Sequence, residues 1–125
     1  MNKVHLTDSD KKIIAEAGHY LSNNLDKRIT IPQLADMMCI SEKKLKSGFM
    51  DVWGIGVHTY LTERRMEKIK ELLQLNQPLK AIAHSTAYKH KNALIKAFRH
   101  KYGVSPAVWK RHCEQINGDI IMLLK

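Results

Sequence analysis

A chain of 125 residues suits one domain, or two very small subdomains that lean on each other. Its hydrophobic content of 44% excludes wholesale disorder. A net charge of +9 exceeds what solubility needs and points to a polyanionic partner, a nucleic acid or an acidic membrane surface, with nucleic acid favoured. The two cysteines, Cys39 and Cys113, provide no disulfide framework and suit a reducing compartment. No apolar run approaches the ~20 residues of a membrane span, and the opening Met1-Asn2-Lys3-Val4-His5 lacks the apolar core of a secretory signal. A cytoplasmic protein without a membrane partner is expected.

Capping signals and breakers divide the chain into helices. Asp8-Ser9-Asp10 is the expected cap of a first helix carrying Ile13, Ile14, Ala17, Tyr20 and Leu21, which Ser22-Asn23-Asn24 weakens near its end. Thr30-Ile31-Pro32-Gln33 reads as a second start: Thr30 caps, Pro32 sits where no donor is missed, and Gln33 completes a capping box. Cys39-Ile40 forms a turn, with Cys39 expected to be buried and Met37-Met38 to fill the core. Ser41 then caps a helix whose Leu45, Phe49, Val52 and Trp53 form one buried stripe. Gly54-Ile55-Gly56 ends it. A long helix runs from about Val57 to Leu75, lined by Leu61, Arg65, Ile69 and Leu72, and Asn76-Gln77-Pro78 stops it. Leu79 to Thr86 forms a short helix, Ala87-Tyr88 a turn, and Lys91 to Tyr102 a helix built on Leu94 and Phe98. Ser105-Pro106 caps a last short helix containing Trp109. No segment sustains a strand's two-residue alternation, so the fold class is all-α.

An internal repeat is the most informative feature. Leu34-Ala35 corresponds to Ile82-Ala83, Leu45 to Leu94, Phe49 to Phe98, Trp53 to Tyr102, Gly54 to Gly103 and Tyr60 to Trp109. Two copies are too few for a solenoid. Each copy is a short helix, a turn and a longer helix, which is the helix-turn-helix outline. The expected organisation is a first helix-turn-helix subdomain over 8–54, a linker helix over 57–75, a second subdomain over 78–113 and a tail over 114–125 that forms at most a short helix. Gly118-Asp119 would start that helix, and Ile120 to Leu124 would either pack back on the domain or meet a second copy.

Burying Leu45 and Phe49 turns Lys43, Lys46, Ser47 and Met50 outward; burying Leu94 and Phe98 exposes Lys91, Asn92, Ala93, Ile95, Lys96 and Arg99. Asn92 can pair with adenine, lysines with guanine, and Ala93 or Ile95 with thymine methyls; lysine serves phosphate equally well. Between Glu71 and Glu114 every formally charged residue is Lys or Arg, whereas the long helix mixes signs as a solvated strut does.

The order and spacing of Ile31-Pro32-Gln33-Leu34-Ala35, Ser41 to Lys46, Tyr60-Leu61, Arg65-Met66, Leu72-Leu73, Ile82-Ala83, Phe98, Tyr102 to Pro106 and Trp109 resemble the AraC/XylS family of transcriptional regulators. The resemblance spans about Asp8 to Arg111. It implies a two-lobed domain of seven helices whose third and sixth lie in successive major grooves of double-stranded DNA, with Lys43, Lys46, Ser47, Lys91, Asn92 and Lys96 at base- and phosphate-facing positions; Arg99 joins them by exposure. A helix from Val57 to Leu75 is ~28 Å long, against ~34 Å between adjacent major-groove faces. The resemblance also implies RNA polymerase as a partner, and a sensor domain if the chain is a fragment of a longer regulator. Two unequal readers on one chain imply a monomer on an asymmetric site.

The chain departs from the family at Ala87-Tyr88, where Gly-Phe is usual. Alanine in a left-handed turn costs about 1 kcal/mol, and Lys89-His90-Lys91 lacks a Ser or Asp cap. The second unit is therefore expected to be the less stable, ordering fully on DNA. Phe49, Trp53, Phe98, Tyr102 and Trp109 are expected in the core rather than stacked on bases. The seven histidines show no ligand spacing, so no metal or cofactor is assigned. The alternatives are a basic helical interaction module, or the DNA-binding part of a larger sensor or repair protein. A DNA-repair enzyme needs an activated thiolate, and His112-Cys113-Glu114 does not match the Pro-Cys-His-Arg such an enzyme carries, so no catalytic residue is assigned.

Overall fold

The computed structural model describes residues 4–124, and within them the chain is all-helical, with no strand. The helices are α1 (Asp8–Ser22), α2 (Ile31–Met38), α3 (Glu42–Trp53), α4 (Val57–Gln74), α5 (Leu79–Ser85), α6 (Lys91–Tyr102) and α7 (Pro106–Leu124). They divide into two compact units between Arg65 and Met66, inside α4.

In the first unit, each of the first three helices starts on a side-chain cap. The cap of α1 is Thr7, one residue before the Asp8-Ser9-Asp10 run. Its hydroxyl accepts the Asp10 N–H at 3.0 Å, and the Asp10 carboxylate accepts the Thr7 N–H at 3.0 Å. Reciprocity decides the position: only Thr7 has an acidic side chain three residues on that can close the box. Thr30 and Gln33 form the same box at α2, and the Ser41 hydroxyl accepts the Lys44 N–H at 3.1 Å. The core gathers Ile14, Leu21, Leu34, Leu45 and Phe49 with Tyr60 and Leu61 of α4. α1 and α3 cross at glycines: Ile14 fills the space that a Cβ on Gly48 would take, and Trp53 fills that of Gly18. The aromatic polar atoms then tie other helices to the α1 backbone. Tyr60 Oη donates to the Gly18 carbonyl at 2.7 Å, and Trp53 Nε1 to that of Ile14 at 3.2 Å.

The second unit repeats this plan around Met66, Ile69, Leu73, Ile82, Leu94 and Phe98. Aromatic triads occupy matching places: Phe49, Trp53 and Tyr60 in the first unit, Phe98, Tyr102 and Trp109 in the second. Gly54 and Gly103 both end their helices at φ 78°, a left-handed conformation that glycine adopts without a steric penalty. Lys70 Nζ lies 4.7 Å from the Tyr102 ring centre and 5.9 Å from that of Trp109, closing the second triad from above.

Three local expectations are corrected. The last helix is not a short one around Trp109 followed by a separate tail: α7 runs unbroken through Gly118-Asp119 to Leu124. A lone glycine lowers helix propensity by only about 1 kcal/mol, and no proline interrupts the run. Its end does not pack back, since Ile120 to Leu124 remain 48–85% exposed. Met37 is exposed, leaving Met38 as the methionine against the core. Cys39 is exposed rather than buried and carries a left-handed backbone at φ 54°.

Candidate nucleic-acid interface

The turn of each copy decides how its second helix is presented. In the first, Cys39 takes φ 54° and Ser41 caps α3; in the second, Ala87 takes φ 61° and His90 caps α6. The cap at α6 that sequence alone does not reveal is thus an imidazole, with His90 Nδ1 accepting the Ala93 N–H at 3.3 Å. Both turns carry a left-handed residue that is not glycine.

On α3, Leu45, Gly48 and Phe49 are buried, and the opposite face presents Lys43, Lys46 and Met50 exposed with Ser47 half-buried. Lys44 faces neither way: its Nζ pairs with Asp10 Oδ2 at 3.2 Å. The Thr7 backbone N–H and the Lys44 ammonium together hold the Asp10 carboxyl below its ordinary range. One lysine of the Lys43-Lys44-Lys46 cluster is therefore a strut between α1 and α3. The other two flank the exposed face, Lys46 toward Arg28 and His58, Lys43 and Ser47 toward the segment ahead of α1.

On α6, Leu94 and Phe98 are buried, while Lys91, Asn92, Lys96 and Arg99 are exposed. Asn92, Lys96 and Arg99 share one concave surface with Ile95 and His100. Lys91 stands apart from them, in a hollow with Lys80, His84 and Lys89 beside the start of α5. Through the repeat, Asn92, Lys96, Arg99 and His100 take the places of Lys43, Ser47, Met50 and Asp51. The two faces correspond position by position and differ in side chain at every one of those positions. Among the described residues no group of three His, Cys, Asp or Glu side chains is arranged to hold a metal, and no helix is long and apolar enough to cross a membrane.

A family model described as a helix-turn-helix domain matches residues 34–112, which covers both turns and both exposed helices. The chain belongs to the AraC family of helix-turn-helix regulators. The arabinose operon regulatory protein of Escherichia coli is 25% identical over 113 residues, covering 89% of this chain and 39% of that protein. The C-terminal domain of AraT, a response regulator from Geobacillus stearothermophilus, is 27% identical with a TM-score of 0.75, covering 87% of this chain and 88% of that one. The DNA-binding domain of AdpA, solved in complex with a target DNA, shares the fold with a TM-score of 0.72 at 21% identity, covering 79% of this chain and 90% of that one. The chain spans about a third of the length of the first curated relatives it matches.

Within this AraC-type domain, sequence reasoning missed two residues bordering the exposed helices. His100 completes the α6 surface; it lies one turn beyond Lys96, and extending the repeat to Asp51 would have found it. His5 lies in the hollow beside Lys43, and no periodicity marks it.

Proposed function

We propose that this AraC-type domain regulates transcription by binding one asymmetric duplex site through α3 and α6, each entering a major groove. The observation that carries the reading is the pair of matched, exposed helix faces that differ in chemistry. Lys43, Lys46 and Ser47 form the first reader; Asn92, Lys96 and Arg99, with Lys91 at the helix start, form the second. Asn92 is suited to adenine and Arg99 to guanine, while Lys43, Lys46 and Lys96 serve guanine or phosphate. The reading units are 8–54 and 78–113, joined by the helix over 57–75. RNA polymerase is the further partner that family membership implies. The fraction of its relatives that the chain spans fits a DNA-binding part that works with a sensor domain in a longer regulator.

Selection of bound duplexes from a random-sequence pool at physiological salt tests this. The expected product is one asymmetric motif with two short blocks about 10 bp apart. A single block would leave only one of the two helices as a reader, α6 if Asn92→Ala relaxes it and α3 if not. Binding without enrichment would favour a non-specific basic module.

A further inference from the structure

Residues 5 and 6, just ahead of α1, border the same hollow as α3, and they are held there. Leu6 packs on the core of the first unit, and the next residue, Thr7, is fixed by both hydrogen bonds of its capping box. With its exit so constrained, the chain brings His5 and Leu6 into one hollow of about 710 Å³ with Lys43, Ser47 and Asp51. Those three residues stand at i, i+4 and i+8, along one flank of α3. The other flank, at Glu42 and Lys46, borders a separate hollow with Arg28 and His58.

A helix with its side chains is about 10–12 Å across, and the major groove is about 12 Å wide. A helix seated in the groove therefore has a wall of phosphates along each flank. The segment ahead of α1 lies beside one flank rather than under the buried face, which is where such a wall would run. Asp51 would repel a phosphate there, but Lys11 Nζ lies 3.6 Å from its carboxylate and offsets that charge. The hollow then offers Lys43 and the exposed imidazole of His5. Either protonation state of an imidazole carries an N–H, so it can donate to phosphate in both.

We propose that the segment ahead of α1 is a second DNA-contacting element, in which His5 donates a hydrogen bond to a backbone phosphate on the groove wall beside α3. The proposal rests on α3 being a reading helix. It makes the first reader a helix plus a strap, so the first half-site extends beyond the bases that α3 reaches.

The test uses the full chain on its selected duplex. The block read by α6 is identified first, as the one that Asn92→Ala relaxes, and the block read by α3 is the other. With His5 replaced by the photo-crosslinker p-benzoylphenylalanine, irradiation should join the protein to nucleotides flanking that block. His5→Ala should weaken binding about threefold to tenfold. His5→Arg should restore affinity and steepen the slope of log K against log salt by about 0.9, one phosphate. Crosslinks confined to the block read by α6, or none while the variant still protects the duplex, would overturn the strap. So would equal affinity of His5→Ala and wild type. If the wild type selects a duplex motif that holds only the block relaxed by Asn92→Ala, the reading of α3 itself falls, whatever His5 does.

Discussion

Ala87 holds its backbone at φ 61° in the turn ahead of α6, where an L side chain crowds the following carbonyl. The conformation is kept because it aims the next amide: the Tyr88 N–H reaches the Ala83 carbonyl at 2.9 Å and closes the end of α5. Ala87→Gly removes the crowding and adds chain entropy when unfolded, so we expect a net stabilisation of about 0.5–1 kcal/mol, read as a raised denaturation midpoint. His90 caps α6 through Nδ1, so His90→Ala should cost about 0.5–1 kcal/mol and His90→Ser should recover it. Amide exchange at Ala93, the capped donor, would show the loss directly. Asp10 gives a pH signature. Its carboxyl is held low by the Thr7 N–H and by Lys44, so its contribution is present above the ordinary carboxylate range and lost as pH falls through its depressed value. The stability gap between wild type and Asp10→Asn should be open at neutral pH and close on acidification below about pH 4. A gap independent of pH would show that Asp10 acts through packing alone.

For the elements, the α1–α3 crossing is set by what is missing from Gly48. Ile14 occupies that space, so the gain of about 1 kcal/mol in helix propensity from Gly48→Ala is outweighed by overpacking of about 1–3 kcal/mol. A net loss of up to about 2 kcal/mol in chemical denaturation is expected, with Gly48→Ala plus Ile14→Val recovering part of it. The turns bear on the expected inequality of the two units. Ala87 was one premise for a weaker second unit, yet Cys39 carries the same left-handed strain in the first. The absent cap was the other, and His90 supplies it. Neither premise separates the units, so α3 and α6 should show similar amide protection in the protein without DNA. The far end of α7 packs on nothing among the described residues of its unit, and Leu123→Glu should change stability by no more than about 0.5 kcal/mol.

Across the whole molecule, the two proposed readers differ in chemistry and should separate under mutation. Lys43→Ala should relax only one block of the selected site and Asn92→Ala only the other, each by about 1–3 kcal/mol in discrimination where the side chain reads a base. A substitution that weakens both blocks equally would mark a phosphate contact. The sequence by itself determined the helices, the duplication and the apolar stripes, because each follows from local spacing: Leu45 and Phe49, like Leu94 and Phe98, must share a face wherever a helix forms. It determined the caps at Thr30 and Ser41 for the same reason. Only the tertiary structure decided that Lys44 is spent on Asp10 while Lys43 and Lys46 remain exposed, because that depends on α1 crossing α3, 34 residues apart in sequence. It likewise decided that a histidine caps α6 and that His5 shares a hollow with α3. Those outcomes depend on where side chains and chain segments meet in space, and helical periodicity holds no information about them.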